Sequence, residues 1–241
     1  MGTIWIVVIV IIASYLIGSI SMTRIVSRLA APEVDLDKVE IAIEGVGTHR
    51  FRTIGATTAS IKLGPRLGGL IGILDILKGL LPVLVLRLVY PDHLYHLIAA
   101  VFVVVGHNWS IFHRFTGGAG ISPSYGGFFV VDWIGTLVSS VVGMLFGFLV
   151  IRDMVIAYLS GPWFMLLWLI LFKGDWPHIL YGVAINVVLL LSFVPEVREY
   201  FKQKRESKVD ANLVMQMTPM GRGMKKLMRF LGVDGEKKGG E

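Results

Sequence analysis

Six stretches of this chain, at about residues 3–22, 67–90, 94–112, 126–151, 154–172 and 177–194, stay apolar long enough to cross a hydrocarbon core of about 30 Å. In such a core every backbone N–H and C=O must be satisfied within the segment, and the α-helix does this without closing a barrel. The expected fold is therefore all-α, a polytopic bundle of about six to seven transmembrane helices. Composition agrees, with 54% hydrophobic residues and a mean hydropathy of +0.71, above the ~45–50% apolar content of soluble domains. The first stretch has neither a basic start nor an Ala-x-Ala cleavage site, so it is expected to remain as a span. Two parts follow: a transmembrane domain over 1–195 and a basic tail over 196–241. With no cysteine in the chain, disulfides, thiolate catalysis and thiolate metal sites are excluded.

Charge placement gives an orientation. Residues 23–66 carry Arg24, Arg28, Lys38, Arg50, Arg52, Lys62 and Arg66, and the tail carries eleven more basic residues. By the positive-inside rule both belong on the cytoplasmic side of a cell (inner) membrane. Six plain spans cannot place both there. The stretch 116–151, with Pro123, Gly126, Gly127, Asp132, Gly135, Gly143 and Gly147, is expected to hold a broken segment, since irregular backbone at membrane depth is tolerated where it lines a cavity.

Chemistry concentrates between Gly106 and Gly127, where glycines, His107, His113 and Arg114 interrupt the apolar pattern. Gly117, Gly118 and Gly120 allow consecutive N–H groups to converge on an anion, with Arg114 and Ser122 adding a charge and a hydroxyl. A tight re-entry turn between helices explains the same glycines. Upstream, Thr48-His49-Arg50-Phe51-Arg52-Thr53-Ile54-Gly55-Ala56-Thr57-Thr58, with Lys62 beyond, alternates basic groups and hydroxyls and suits a phosphate substrate or anionic lipid headgroups. Asp75 and Lys78 lie three apart on one helical face within an apolar run. Ionisable groups at that depth are costly and mark either a functional site or a structural ion pair. Pro82 is expected to kink that helix. His93 and His96 belong with Tyr90 and Tyr95 at the outer interface, and no metal site is expected.

Ile54-Gly55-Ala56-Thr57, then Gly64, then Leu74-Asp75-x-x-Lys78-Gly79-x-x-Pro82, and finally Gly106-His107 through Phe112, Arg114, Phe115, Gly117, Gly118 and Gly120 stand in the order of the PlsY family of acyl-phosphate:glycerol-3-phosphate acyltransferases. The chain resembles that family over roughly residues 1–200. The resemblance implies helical membrane enzymes of about seven spans that transfer a fatty acyl group from acyl phosphate to glycerol 3-phosphate, giving lysophosphatidic acid, with no cofactor. It also implies catalytic roles for His107, Arg114 and Ser122, and substrate binding by Arg50, Arg52, Gly55, Thr57, Lys62, Asp75, Lys78, Gly117, Gly118 and Gly120. Three departures stand out. The serine of the first motif is replaced, Ala119 stands where the family has lysine, and the family's last motif has no match near Glu196-Val197-Arg198-Glu199.

Three functional readings follow. The first is a membrane acyltransferase of phospholipid biosynthesis, acting on acyl phosphate and glycerol 3-phosphate. In the second, the fold is kept and a lipid or phosphate is bound without transfer. The third is a transporter-like or structural membrane protein, suggested by Asp132 and Asn186 within apolar runs. The tail has a net charge of +4, and Met224-Lys225-Lys226-Leu227-Met228-Arg229-Phe230-Leu231 suits a basic amphipathic helix on the inner leaflet. Membrane lipids are the expected partners. Nucleic acid is not, since no stacking platform accompanies the charge.

Overall fold

A computed structural model describes residues 2–34, 40–43, 47–50, 53–152, 154–206 and 219–230. The first helix, α1 (Gly2–Ser19), leads into the short α2 (Met22–Ala30), and a two-stranded antiparallel hairpin follows, β1 (Glu40–Ile43) with β2 (Gly47–Arg50). The hairpin is the one departure from helix among the described residues. It lies between α2 and the next helix.

Next come α3 (Ala56–Lys62), α4 (Pro65–Val89), α5 (Tyr95–Asn108), α6 (Ile121–Val131), α7 (Trp133–Leu145), α8 (Met154–Trp168), α9 (Trp176–Glu206) and α10 (Pro219–Phe230). Single π-helical segments extend α7 over Phe146–Ile151 and α8 over Leu169–Lys173. Pro82 lies inside α4, which continues through it. The tail does not start at a helix end, because α9 runs eleven residues past 195 to Glu206.

Cross-helix bonds fix the directions. Ser110 Oγ donates to the Ser19 carbonyl (2.6 Å), which puts the ends of α1 and α5 together. Ser192 Oγ on α9 donates to the Ala119 carbonyl just before α6 (3.0 Å). At the opposite end Arg87 reaches the Val131 carbonyl (3.5 Å), and Asn186 Nδ2 on α9 bonds the Pro162 carbonyl on α8 midway (3.1 Å). So α1, α5, α7 and α9 run toward the end bearing Ser19, while α4, α6 and α8 run away from it. The chain thus traverses the bundle seven times among the described residues. Six of the helical segments have the length and apolarity to cross a membrane, and α6 is shorter.

The short α6 begins level with Lys78, thirteen residues or roughly 20 Å into α4, so the connection 109–120 folds back into the bundle. Close approach makes this possible. A Cβ on Gly79 would strike the Pro123 backbone, one on Gly126 the Ile76 carbonyl, and one on Gly106 the Tyr15 carbonyl. Helices in lipid gain no hydrophobic drive from one another, so backbone proximity and dispersion carry the association.

The broken segment has a specific hinge. Asp132 ends α6 and caps α7: its Oδ1 accepts the Gly135 N–H (2.8 Å), and its Oδ2 accepts Trp168 Nε1 (3.2 Å) and faces Lys173 Nζ (3.5 Å). Asn186 similarly spends its amide on the Pro162 and Gly182 carbonyls. The Asp132 carboxylate and the Asn186 Nδ2 bond to Pro162 thus join helices, while Asn186 Oδ1 is buried without a hydrogen-bond partner among the described residues. Burial raises the Asp132 carboxyl, but the Gly135 N–H, the Trp168 indole and Lys173 together outweigh it and hold the carboxyl below its ordinary range.

Removing this carboxylate should therefore destabilise the fold. Asp132→Ala is expected to cost about 1 kcal/mol, the usual value of an N-cap, in thermal unfolding of the detergent-solubilised protein at neutral pH. A lowered folded pKa contributes stability above the unfolded value of about 3.9 and loses it as pH falls through the folded value. The gap between wild type and variant should accordingly close in acid.

Candidate active site

The break between α1 and α2 is where the site begins. Once α1 stops at Ser19, the carbonyls of Ser19 and Ile20 lack the usual helical donors and point into the bundle. Lys78 Nζ takes the Ile20 carbonyl at 2.8 Å, His107 Nδ1 at 2.9 Å and Asp75 Oδ1 at 3.1 Å. Two donors of the ammonium thus reach acceptors on different elements, and Asp75 adds an ion pair from the preceding turn of its own helix. All three side chains are buried.

That arrangement assigns the histidine tautomer. Lys78 can only donate, so His107 Nδ1 must accept, and the ring proton resides on Nε2. Asp75 Oδ1 lies 3.5 Å from the same Nδ1, too far to claim the proton against Lys78. The Nε2–H edge of the imidazole faces Gly118, where a Cβ would strike Nε2.

Here the glycine loop serves packing first. Gly118 N–H donates to the His107 carbonyl (3.1 Å), the Gly117 carbonyl accepts Ile54 N–H (2.9 Å), and a Cβ on Gly117 would strike the His107 carbonyl. The expectation of a run of free N–H groups converging on an anion is corrected at Gly118, whose donor is already spent. Gly120 is different. Its φ of +83° favours glycine, it caps α6, and it lines a cavity.

That cavity, about 40 Å³, lies between Thr53, Gly55, Thr57 and Thr58 on one wall and Gly120, Ile121 and Ser122 on another, with Asp75, His107 and Tyr158 at its base. Thr58 Oγ1 accepts the Gly55 N–H (2.9 Å) and so fixes the start of α3. The Tyr158 hydroxyl lies near Thr57. The set offers hydroxyls, one imidazole N–H and the N-terminus of the eleven-residue α6, a donor-rich surface suited to an oxyanion or phosphate.

Of the residues expected from sequence, His107, Ser122, Gly55, Thr57, Asp75 and Gly120 meet at this cavity, and Lys78 backs it. Arg114 does not line it. It sits exposed on the loop in a left-handed conformation (φ 52°), following the 3₁₀ turn Ile111–His113. Lys62 is exposed at the far end of α3. Arg50 belongs to β2, and its side chain, with the whole of Arg52, lies outside the described residues. Sequence reasoning passed over Thr53, Thr58 and Tyr158; only the alternating hydroxyls of 53–58 carried a signal for the first two.

Two apolar grooves flank this core. One, about 630 Å³, runs between α1 and α4 from Met22 and Lys78 to Leu86. The other, about 450 Å³, lies between α5 and α9 at the opposite end, where His93 stacks on Tyr95 at 4.9 Å.

A family profile described as glycerol-3-phosphate acyltransferase matches residues 8–203. A glycerol-3-phosphate acyltransferase of Pseudothermotoga lettingae is 33% identical over 118 residues, 49% of this chain and 53% of that protein. One of Thermotoga petrophila is 30% identical over 154 residues, 62% of this chain and 73% of that protein. The chain therefore spans about half the length of the first relative and nearly three quarters of the second. The crystal structure of PlsY (YgiH), an integral membrane glycerol 3-phosphate acyltransferase, in its glycerol 3-phosphate form superposes with a TM-score of 0.67 at 24% identity, covering 81% of this chain and 92% of that one. Its lysophosphatidic acid form gives 0.66 at 23% identity. The likeness shows a shared fold.

The ion pair at the base should be non-additive. Breaking a buried pair by removing one partner costs about 3–5 kcal/mol because a charge stays buried alone. Asp75→Asn and Lys78→Met should each lower the melting temperature and the yield of folded protein, and the double variant should recover part of both. A double variant as damaged as the worse single one would show that the two charges are not a pair.

Proposed function

The chain belongs to the glycerol-3-phosphate acyltransferase family, and from that membership we propose that it transfers a fatty acyl group from acyl phosphate to glycerol 3-phosphate, giving lysophosphatidic acid. The observation that carries the mechanism is the 2.9 Å contact of Lys78 Nζ with His107 Nδ1, which, with the ammonium donating, leaves the ring proton on Nε2. In this reading the acceptor hydroxyl oxygen attacks the acyl carbonyl carbon, the bond from that carbon to the bridging phosphate oxygen breaks, and inorganic phosphate departs. The hydroxyl proton leaves on a phosphate oxygen. No protein base is required, because acyl phosphate is already activated. The protein's part is positioning and neutralisation of developing negative charge, by His107 Nε2–H, the start of α6, Ser122 and the Thr57–Tyr158 hydroxyls.

The groove between α1 and α4 is the proposed seat of the acyl chain. It is lined almost wholly by aliphatic side chains, Lys78 stands at its site end, and from Leu74 to Leu86 it follows about 18 Å of α4. Arg114, on the exposed side of the loop, and Lys62, exposed at the end of α3, would draw phosphate groups inward. The site end carries Arg24, Arg28, Lys62 and Arg66 and is assigned to the cytoplasmic face of the inner membrane.

One observation favours a second reading, a lipid or phosphate binder without transfer. Among the described lining residues there is no arginine or lysine, and Asp75 offsets the charge of Lys78 behind them. Purified protein given palmitoyl phosphate and glycerol 3-phosphate separates the two: lysophosphatidic acid and phosphate appear under the first reading, and binding without product under the second.

If transfer occurs, His107→Ala should reduce turnover at least about a hundredfold, the lower end for losing one hydrogen-bond donor to developing charge. Gly118→Ala should come close to it, since the added methyl takes the place of the imidazole edge. Wild-type turnover in both variants would remove His107 from the mechanism. Ala13→Trp, which fills the α1–α4 groove, should cut the rate with long acyl phosphates much more than with acetyl phosphate.

A further inference from the structure

Asn108, the last residue of α5, is 5% exposed, and neither its Oδ1 nor its Nδ2 has a hydrogen-bond partner among the described residues. A buried amide with no bond destabilises a fold that an apolar side chain of the same shape would not. Such a group beside a cavity points to a partner that the chain itself does not supply.

The loop glycines set where this amide lies. His107 and Asn108 are consecutive, and each abuts a different glycine. A Cβ on Gly118 would strike the imidazole, and one on Gly120 would strike Asn108 Oδ1 and lie 2.9 Å from Nδ2. The carboxamide thus fills the side-chain space that residue 120 leaves open. Gly120 itself lines the cavity and caps α6, so the amide stands directly behind the lining at the start of that helix.

Hydrogen-bonding capacity then narrows the ligand. The lining offers hydroxyls, the His107 Nε2–H and the start of α6, all able to donate, and its one carboxylate, Asp75, is engaged by Lys78. A phosphate dianion alone would use Nδ2 and leave Oδ1 bare. A phosphate ester of a polyol carries acceptor oxygens and a hydroxyl donor on one molecule, which matches both ends of a carboxamide.

We infer that Asn108 is a specificity-determining residue of the acceptor site, its Nδ2 donating to the phosphate and its Oδ1 accepting the spare hydroxyl on the middle carbon of glycerol 3-phosphate. This rests on the proposed reaction, which supplies the acceptor. Because Oδ1 is bare in the free chain, the hydroxyl gains a bond there with no internal bond to break. The analogue 3-hydroxypropyl phosphate lacks only that hydroxyl and forgoes the gain.

The test measures calorimetric binding of both phosphates to the detergent-solubilised full chain, without acyl phosphate, and the melting temperature of the free protein. Wild type should hold glycerol 3-phosphate roughly ten- to a hundredfold more tightly than the analogue. In Asn108→Leu, which keeps the volume and removes both polar ends, that ratio should fall to near one. Its melting temperature should stay level or rise, since no internal hydrogen bond is lost. A lower melting temperature or failure to fold would assign the amide to structure and overturn the inference. So would a ratio near one in wild type, or a ratio that survives the replacement. Turnover with palmitoyl phosphate keeps the two readings apart. Equal transfer to both acceptors would sink the role of Asn108 and leave the proposed reaction standing, whereas a wild type that neither binds nor acylates glycerol 3-phosphate would sink both.

Discussion

A single ammonium inside the bundle holds three transmembrane helices in register. Lys78 reaches the end of α1 through the Ile20 carbonyl, α5 through His107 and its own helix through Asp75. A lone charge at this depth would be among the most costly features a membrane protein could carry. Three short contacts reduce that cost, and they do so only if α1 stops where it does and α5 arrives at the same level. The break at Ile20 and Ser21 is thus a condition for the cluster, and the cluster fixes the imidazole that faces the cavity.

How this was legible differs from residue to residue. The spans follow from runs of apolar residues, and the break near Asp132 from glycines and proline crowding a stretch that had to change direction. Asp75 and Lys78 announced themselves as charges three apart in an apolar run. What they bond was hidden, because the Ile20 carbonyl is 58 residues from Lys78 and every residue has a carbonyl. Tyr158 was equally silent, since an aromatic on a membrane helix is ordinary until its hydroxyl is seen beside Thr57. In sequence the glycine loop admits either an anion cradle or a tight re-entry turn, and in the fold its shape answers to the bulk of His107 and Asn108.

Charge at the cavity separates this chain from the pattern it resembles. With Ala119 in the loop and Arg114 turned outward, positive charge near the described lining comes down to Lys78, and Asp75 already offsets that. Hydroxyls and the start of α6 must then supply most of the donors. Under the proposed reaction such neutral donors would bind phosphate through direction more than through charge, so their hold would depend on how rigidly they are placed. The Thr58 bond to Gly55 fixes one part of that surface.

The crossings at Gly79, Gly106 and Gly126 bear on how such a protein diverges over evolutionary time. Each brings backbone against backbone, so even one methyl group would force two helices apart. Lipid-facing positions exchange one aliphatic residue for another with little effect, and loops drift freely. A lineage can therefore replace most of its sequence while these few crossings stay fixed, and the architecture outlasts any particular set of substrate-binding side chains mounted on it.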